Sequence, residues 1–494
     1  MGYFKFKAYL LALSLAFAAA PGFAEPSLNG AQASPDTQQT VQADSQADTV
    51  IPNNTSSSLA PGDNLSESGV IGHAYTLEDS IDKAMKQNPS IRAADENVVQ
   101  ANAQYEQVKS NKNWTFTVHN NTYWQNKQWS GPTPVIEGLS DQLQASFSKL
   151  LTNFGGIESQ IDAAYLNIGV EALNAAATKQ DMRYKVKQAF FNRLKADASV
   201  NVADLNIDVS KQSLSDSEKM YARGVMAKYD VIQADLNVTE AEEQKAVAEN
   251  DVEVANSTFL ALLNEQSLLC ENVPITLVSP HVVDVDPNVT IDDLVKLGWA
   301  RRFEILSLER SIEVARKMRE SVLTSNRPEV RLSANYIFSP GYKTQTCSIY
   351  QLCLGVAWSP LDGGYRKSKV AEIDSQIRAI EAQRDQVAIS IRESVENAWH
   401  NFKLTDITLE TSKKRVEAAW VYHDMARQRF LNGLGTSLEV QDALRNLNDA
   451  RQALVVATYD RDLAFAALEY SVGIDFPNRR LAVTPDMFIV NEDE

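Results

Sequence analysis

The chain repeats one structural unit twice between about residues 76 and 475. In each copy a glycine pair opens a long helical stretch, and a glycine-containing turn ends it. The glycine pairs begin at Gly155 and Gly363, 208 positions apart, and the turn glycines Gly224 and Gly433 are 209 positions apart. Two long spans that agree within one residue indicate an internal duplication, which constrains the architecture before any single motif is considered.

The N-terminus has the pattern of a secretory signal peptide over residues 1–24. Lys5 and Lys7 supply the positive region, an apolar run follows, and Gly22-Phe23-Ala24 forms a small-x-small cleavage site. The run is too short to span a membrane, and no later stretch is longer, so we expect no transmembrane helix. Residues 25–73 are rich in Gln, Ser, Asp and Pro and predict a disordered periplasmic leader.

Charge and motif content exclude several functional classes. The formal net charge of −17 disfavours nucleic acid as a partner. The five histidines have no ligand spacing, and the sequence contains no phosphate loop, nucleophile elbow or zinc signature. We therefore predict no enzyme activity, no cofactor and no metal site.

Three cysteines are too few for a disulfide scaffold. Cys347 and Cys353 flank a short polar stretch in an oxidising compartment, where a disulfide is one hypothesis and two incidental thiols on a strand is the other. Cys270 would be the odd thiol.

The pattern predicts a first repeat over 74–270, a linker over 271–289, a second repeat over 290–475 and a C-terminal tail over 476–494. Each repeat comprises a helix, a β-hairpin, a long helix and a return helix. Thr76 is a predicted N-cap for the opening helix.

The β-hairpins are predicted at 114–149 and 330–358, because apolar and polar residues alternate there. Such a hairpin is normally half-buried on a soluble core. Here no other element is available to cover four apolar strand faces, which favours lipid contact instead.

The long helices, over 157–222 and 365–431, would each be roughly 100 Å long at about 1.5 Å per residue. The return helix, at about 229–265, has apolar residues every three or four positions, many of them alanine, as in a closely packed coiled coil. The opening helix, over about 76–113, should kink or break at Asn88-Pro89. Stacked end to end, the opening and return helices match the length of the long helix.

The fold class is therefore mainly α with a small β part. Duplicated long helical hairpins would contribute to an α-helical barrel, and two β-hairpins would contribute four strands to a larger β-barrel. A four-stranded sheet cannot close in lipid without leaving unpaired edges, so oligomerisation is expected. Three copies would give twelve strands.

This arrangement resembles the TolC family of outer-membrane efflux proteins, over roughly residues 74–475. The motifs that carry the resemblance are Thr76-Leu77-Glu78-Asp79, Thr290-Ile291-Asp292-Asp293, Asn88-Pro89-Ser90-Ile91, Pro360-Leu361-Asp362-Gly363-Gly364 and the two turns around Gly224 and Gly433. The resemblance implies a homotrimer with a 12-stranded barrel in the outer membrane of a Gram-negative bacterium. It also implies a periplasmic tunnel that docks to a periplasmic adaptor and an inner-membrane transporter.

The resemblance further implies a periplasmic aperture lined by acids just after the turns, at Asp230, Glu439 and Asp442, with Phe430 as a further candidate residue. These acids also suit a helix start regardless of function, because carboxylates are favoured there by the helix dipole. The family's gate pairs a tyrosine before the second turn glycine with an arginine after it. This sequence has Phe430 and Gly435 at those places, so that polar latch is absent.

The turn residues Gly224, Val225, Gly433 and Leu434 are the implied tips for adaptor docking. The function favoured by all these features is a passive exit duct of a tripartite efflux pump or a type I secretion system. The alternative is a periplasmic coiled-coil adaptor or scaffold without a membrane barrel.

Overall fold

A computed structural model of the chain describes residues 73–127, 136–265, 275–277, 284–285, 289–339, 347–476 and 480–481. The predicted signal peptide, the predicted leader up to residue 72, Cys270 and most of the predicted C-terminal tail lie outside these residues. The elements below are numbered in chain order.

The two repeats contain the same succession of helices and strands. The elements up to the end of the first return helix are β1 (His73–Tyr75), α1 (Leu77–Gln87), α2 (Pro89–Ser110), β2 (Thr115–Lys127), β3 (Ile136–Thr152), α3 (Gly156–Ala222) and α4 (Lys228–Leu263). The elements that follow are β4 (Ile275–Leu277), β5 (Asp284–Val285), α5 (Ile291–Arg301), α6 (Phe303–Thr324), β6 (Glu329–Ser339), β7 (Cys347–Ala357), α7 (Tyr365–Leu431), α8 (Ser437–Val472) and β8 (Arg480–Leu481).

Corresponding helices of the two repeats have identical lengths. Helices α1 and α5 have 11 residues each, α2 and α6 have 22, α3 and α7 have 67, and α4 and α8 have 36. The duplication inferred from glycine spacing therefore extends to every helix of the unit.

The predicted cap and helix break are both present. Thr76 Oγ1 accepts a hydrogen bond from the Asp79 backbone N–H at 3.1 Å, and Thr290 Oγ1 does the same for Asp293 at 3.3 Å. Helix α1 ends at Gln87 and α2 begins at Pro89, because proline is tolerated in the first turn of a helix but not in its interior. The second repeat breaks in the same place, at Arg302, although no proline marks it.

Each return helix is continued by the second half of the opening helix. Asn88 Nδ2 donates a hydrogen bond to the Leu262 carbonyl oxygen at 2.9 Å, which joins the C-terminal end of α4 to the N-terminal end of α2. Arg302 donates to the Tyr470 carbonyl oxygen at 2.7 Å and joins α8 to α6 in the same way. The predicted end-to-end stacking is therefore confirmed. In each repeat, the return helix and the second half of the opening helix together form one column, which is antiparallel to a 67-residue helix.

The four columns lie side by side in a fixed order. Helix α3 contacts α4 and α2 on one side and α8 and α6 on the other, and α7 contacts α8, α6 and α5. The order is thus the α4–α2 column, α3, the α8–α6 column and α7. The α4–α2 column and α7 are the outer members of this row.

Two apolar clusters pack around the joints. The first includes Phe190 and Phe191 of α3 and Phe259 and Leu260 of α4, all at most 1% exposed. The second packs Leu294 and Leu297 of α5 against residues of α7 and α8, among them Phe402, Phe465 and Leu468. The joints are therefore the most thoroughly buried parts of the helical region.

The β-strands of the two repeats form one antiparallel sheet of order β2-β3-β6-β7. Strand β3 continues to Thr152, three residues past the predicted hairpin end at 149, and a register shift between Leu150 and Thr152 lets it pair with Val330 at the start of β6. Because pairing runs through β3 and β6, the sheet edges are β2 and β7.

One face of this sheet is apolar and exposed. Phe116, Phe147, Ala334 and Leu352 lie in one row straight across the four strands, and the three larger side chains are 64%, 43% and 78% exposed. The adjacent row, on the other face, is Thr115, Ser148, Ser333 and Cys353. Each chain therefore presents an apolar sheet face that nothing in the same chain covers among the described residues.

Short parallel strands join the segments predicted as linker and tail to other parts of the chain, and β1 begins at His73, the last residue of the predicted leader. Strand β4 pairs with β1, and β5 pairs with β8. Strands of two or three residues carry no readable alternation, so the sequence gives no sign of them. Among the described helices, none has the length and apolar character required to cross a membrane.

Candidate functional site

The two helical hairpins end in the same hydrogen-bonded turn. After α3, the Val225 N–H donates to the Met220 carbonyl at 3.1 Å and the Gly224 N–H donates to the Tyr221 carbonyl at 2.8 Å. These two hydrogen bonds form a Schellman motif, which needs a residue with positive φ. Gly224 supplies that residue, with a φ of +74°. After α7, Leu434 and Gly433 make the equivalent bonds, and Gly433 has a φ of +73°.

Both turns expose an apolar side chain at their tip. Val225 is 64% exposed and Leu434 is 74% exposed. In this type of turn the residue at that position often packs back on the preceding helix. Here both side chains are instead exposed, and their role in adaptor docking stays a prediction.

The three acids predicted to line an aperture all lie at the start of the return helices. Asp230 and Glu439 are in the first turns of α4 and α8, and Asp442 is exposed one turn farther along α8. Among the described residues, Asp230 and Asp442 make no ion pair. Asp442 is exposed and Asp230 is half-buried, and among the described residues no ion pair joins Asp230 to the second repeat.

Glu439 has two partners that the other acids lack. Its backbone N–H donates to the Thr436 Oγ1 at 3.2 Å, and its carboxylate lies 3.9 Å from the Arg429 guanidinium. Arg429 also donates to the Leu434 carbonyl, so it joins the end of α7 to the turn. Because both partners of the ion pair are substantially exposed, the pair contributes little to stability.

Gly435 lies in a closely packed part of the second turn. A Cβ built on Gly435 would lie 3.1 Å from the Glu439 carboxylate, 3.2 Å from the Phe430 nitrogen and 3.3 Å from the Arg429 Cβ. A side chain at position 435 would therefore require its neighbours to shift by a few tenths of an ångström.

The structure corrects the assignment of Phe430 to an aperture. Phe430 is 8% exposed and packs with Met220, Ala426, Val440 and Ala443 in an apolar cluster near the hairpin ends. Its ring holds α3, α7 and α8 together from the inside. Replacement of a tyrosine hydroxyl by a ring hydrogen makes such burial possible, because no polar group needs a partner there.

An ion pair between the two hairpins was not predicted from the sequence. The Arg427 guanidinium of α7 contacts the Asp216 carboxylate of α3 at 2.9 Å through both Nε and a terminal nitrogen. Gln212 donates to the other oxygen of the same carboxylate at 3.0 Å. Asp216 is 6% exposed. The only sequence signal is positional, since Asp216 and Arg427 lie eight and six residues before their turn glycines.

A cavity of about 240 Å³ lies beside this ion pair. Its lining comprises Asp208, Val209, Gln212, Ser213, Asp216, His423, Arg427, Phe430 and Val440. Burial lowers the pKa of His423 below its ordinary value, and the positive charges of Arg427 and Arg451 lower it further. The imidazole is therefore held neutral inside the hairpin end of the molecule.

The hypothesis of a disulfide between Cys347 and Cys353 is wrong. Both thiols are free and exposed. The two residues lie six positions apart on the single extended strand β7, so their Cα atoms are about 20 Å apart. A disulfide needs a Cα separation below about 7 Å. Both cysteines lie on the polar face of the sheet.

Comparisons with known proteins agree with this geometry. The sequence profile of the family described as outer membrane efflux protein matches residues 80–265 and 294–473, one segment in each repeat. The chain belongs to the outer membrane efflux protein family. No curated protein sequence matches it.

Several solved structures share the fold of this outer membrane efflux protein. The outer-membrane channel OprN has a TM-score of 0.69 at 19% identity, over 80% of this chain and 89% of that one. VceC of Vibrio cholerae has a TM-score of 0.67 at 16% identity, over 80% and 96%. The CmeC outer membrane channel of Campylobacter jejuni has a TM-score of 0.69 at 15% identity, over 80% and 85%. The resemblance to the TolC family is thus confirmed, as is the mainly α fold with a small antiparallel sheet.

Proposed function

We propose that this outer membrane efflux protein is a passive exit duct built from three copies of the chain. The observation that carries the proposal is the four-stranded sheet, which has one exposed apolar face and two open edges at β2 and β7. Open edges are unstable in lipid, so the sheet must close with other copies. Twelve strands from three chains would form a barrel with a usable lumen in the outer membrane.

The helical columns would continue this barrel as a tunnel into the periplasm. Both hairpin ends lie at the end of the helices opposite the sheet, where Val225 and Leu434 are exposed. We assign Gly224, Val225, Gly433 and Leu434 to docking of a periplasmic adaptor. The adaptor would link the duct to an inner-membrane transporter, which must supply the energy because an outer-membrane duct has no nucleotide supply.

The carboxylates at the start of the return helices would form the periplasmic aperture. Threefold symmetry would repeat Asp230, Glu439 and Asp442 around one constriction, giving nine acids. Like charges in a narrow pore focus a negative potential that attracts cations. Phe430, which is buried, would support this constriction rather than line it. The duct is therefore expected to be cation-selective, with low resting conductance.

The cargo is determined by the transporter that docks. The efflux family favours small toxic compounds, and a type I secretion partner would make the same duct an exit for protein. A strain that lacks this chain should become sensitive to toxic compounds in the first case and should retain a secreted protein in the second.

Membrane extraction and channel recording test the proposal together. The protein should stay with outer membranes after an alkaline wash and should form channels in planar lipid bilayers. Release by the wash, with no channel activity, would support the periplasmic adaptor that the sequence left as an alternative. As a control, a known peripheral periplasmic protein should be released by the same wash.

A further inference from the structure

One cation lies on the apolar face of the sheet, at the end where the sheet meets the helices. Lys149 pairs with Leu332 across β3 and β6, so it lies on the same side as Phe147, and β3 ends three residues later at Thr152. The strand register places no other Lys or Arg on the apolar face among the described residues of the four strands. A charged amine beside apolar side chains is unfavourable unless another polar group contacts it.

The indole ring of Trp114 lies next to this amine. Lys149 Nζ is 5.5 Å from the centroid of the Trp114 ring, which stacks on the Phe147 ring at 4.8 Å. Trp114 is 47% exposed, and its indole N–H has no hydrogen-bond partner among the described residues. Two hydrogen-bond donors, one charged and one neutral, therefore lie close together on the apolar face.

Lys149 makes no ion pair and no hydrogen bond among the described residues. Other cations near this end of the sheet are paired, since Lys112 lies 2.8 Å from the Glu158 carboxylate and Arg331 lies 2.7 Å from that of Glu329. Strand β3 lies between β2 and β6 of the same chain, so closing the sheet with other copies adds no strand beside Lys149. Strand pairing between copies therefore does not supply the anion that this amine lacks.

The second repeat has no equivalent pair of donors. Alignment of the glycine pairs places Ala357 at the position that corresponds to Lys149. Trp358 follows it, but the indole N–H of Trp358 donates to the Asn326 carbonyl oxygen at 2.9 Å. An aromatic belt that only anchors the sheet in a membrane would serve both repeats alike. An amine and an indole N–H that both lack partners, present in the first repeat alone, favour a ligand that binds once per chain.

The opposite margin of the same face carries an acid instead of a cation. Asp141 lies on β3 eight residues before Lys149, which is about 26 Å along the strand. Its carboxylate accepts a hydrogen bond from Thr122 Oγ1 of β2. At the strand tilt of about 40° that barrels have, this separation is comparable with the roughly 25 Å height of a lipid-facing apolar band. Lys149 therefore marks the margin of the band next to the helices, which is the periplasmic margin in the proposed duct.

The phosphate diester of a membrane lipid fits this site. Lysine extends its amine from apolar surface to the level of the lipid headgroups, where the amine donates charge-assisted hydrogen bonds to phosphate oxygens. The indole N–H of Trp114 is a second donor at the same level. An ammonium group on the headgroup would be repelled by Lys149, so an anionic lipid fits better than a zwitterionic one.

We propose that Lys149 and Trp114 bind the phosphate of an anionic glycerophospholipid in the periplasmic leaflet, with the acyl chains of the lipid on Phe147 and Leu332. The inference rests on the proposed outer-membrane duct, and it specifies a lipid class that the duct binds and the residues that bind it. Each copy of the chain has one such site. The site lies on the outside of the sheet, so it does not take part in conduction.

Lipid titration followed by native mass spectrometry tests the site in the full-length, delipidated protein. Phosphatidylglycerol should bind to the detergent-solubilised oligomer more tightly than phosphatidylcholine with the same acyl chains. Lys149→Gln should weaken phosphatidylglycerol binding roughly tenfold, because a hydrogen bond from a charged donor is lost. Lys149→Arg keeps the charge and should bind this lipid as the unmodified protein does.

Matched variants separate the site from general charge and aromatic effects. Lys112→Gln removes the same charge from a cation that already has a carboxylate partner, and it should leave lipid binding unchanged. Trp114→Phe keeps an aromatic ring and removes the N–H, so it should weaken binding by a smaller factor than Lys149→Gln. Trp358→Phe, where the N–H is used within the chain, should not alter binding. Equal losses for Lys112→Gln and Lys149→Gln would contradict a specific site.

The result that overturns the lipid site is distinct from failure of the proposed function. If the protein assembles and conducts but binds both lipids equally, or if Lys149→Gln binds phosphatidylglycerol as tightly as the unmodified protein, this inference is wrong. Displacement of the lipid by inorganic phosphate would assign the site to a free anion and would overturn it as well. If the unmodified protein is monomeric and forms no channel, the proposed function itself fails.

Discussion

Asn88 and Arg302 occupy equivalent positions in the two repeats and make the same connection by different chemistry. Each residue ends one short helix and begins the next, and each side chain donates a hydrogen bond to a carbonyl at the end of the return helix. Asn88 uses an amide, whereas Arg302 also pairs with Glu304 and lies over the Tyr470 ring at 4.9 Å. Both repeats therefore contain this joint, but a different type of residue makes it in each repeat.

Replacing Asn88 with alanine should weaken the first joint. The side chain accepts from the Ser90 N–H at 2.9 Å as an N-cap and donates to the Leu262 carbonyl. Loss of both bonds should reduce the free energy of unfolding by about 1 to 3 kcal/mol. Thermal unfolding followed by circular dichroism measures it. Asn111→Ala, at the exposed end of α2, is the control. Equal destabilisation by the two variants would contradict the role given to Asn88.

A cluster of charged side chains around the buried Lys187 should also stabilise the fold. Lys187 of α3 lies 2.7 Å from the Glu469 carboxylate of α8 and also contacts Asp475. Burial alone would lower the pKa of Lys187, but the two carboxylates outweigh it and raise the pKa, so the amine stays charged. Lys187→Met would leave the buried Glu469 carboxylate without its cation, whereas Asp475 would keep Arg183 at 3.2 Å, and the change should cost about 3 to 5 kcal/mol.

The matched control is Lys109→Met. Lys109 pairs with Glu106 at 2.8 Å on the surface of α2, where the same substitution should change the free energy of unfolding very little because solvent screens an exposed ion pair. Chemical denaturation of both variants in detergent gives the comparison. Similar midpoints for Lys187→Met and Lys109→Met would show that the buried cluster contributes no more than a surface pair.

The sequence predicted the repeats and helix bounds well because glycine, proline and cap residues mark chain reversals locally. It could not predict contacts between distant elements. Lys245 and Arg461 interrupt the apolar spacing of the return helices and carry no explanation in the sequence. In the structure Lys245 pairs with Asp204 of α3 and Arg461 with Asp406 of α7, each at 2.8 Å. Their partners lie 41 and 55 residues away, beyond the reach of a local pattern.

The sequence predicted where the candidate site lies, but it identified only some of the residues that form it. The turn glycines fix where the hairpins end, and the acids after them follow from helix-start preferences. The burial of Phe430 and the Asp216–Arg427 ion pair depend on how two hairpins pack side by side. The predicted disulfide between Cys347 and Cys353 was wrong for a related reason, because both cysteines lie on one continuous strand that keeps their thiols apart.

Acidification should destabilise the hairpin end through His423. Its pKa in the folded protein is lowered from 6.5, so the unfolded chain binds the proton more readily. The contribution of His423 to the free energy of unfolding is therefore fully present above pH 6.5. It is lost as the pH falls through the lowered pKa of His423 in the folded protein. The other charged groups around the ring are Asp424 and Arg427 of α7, Arg451 of α8, and Asp208 and Asp216 of α3.

The variant His423→Gln should remove this acidic loss of stability. Melting temperatures measured between pH 7.5 and pH 5 should then fall less steeply than for the unmodified protein. His119→Gln, at an exposed position on β2, serves as the control and should retain the original pH dependence. An unchanged pH profile in His423→Gln would contradict the prediction.

The carboxylates near the second turn should control ion selectivity. Replacing Glu439 and Asp442 together with alanine should reduce the preference for cations and the block by multivalent cations. Asp442 should contribute more than Glu439, whose charge is partly offset by Arg429. Reversal potentials in planar bilayers measure the effect. If the acids serve only the helix dipole, selectivity will be unchanged and each site will cost at most about 1 kcal/mol.

The control for this measurement keeps the number of removed charges constant. Asp235 and Glu240 are exposed acids farther along α4, and replacing both with alanine should leave the reversal potential unchanged. A comparable shift in the control would mean that total charge, rather than position at the turn, determines selectivity.

The mass of the purified particle tests the central claim most directly. The open edges of β2 and β7 require other copies of the chain, and a ring of three gives twelve strands. Light scattering of the detergent-solubilised protein, corrected for bound detergent, should give three times the mass of one processed chain. A monomer would contradict the account, because a single chain would leave its apolar sheet face and both strand edges without a partner.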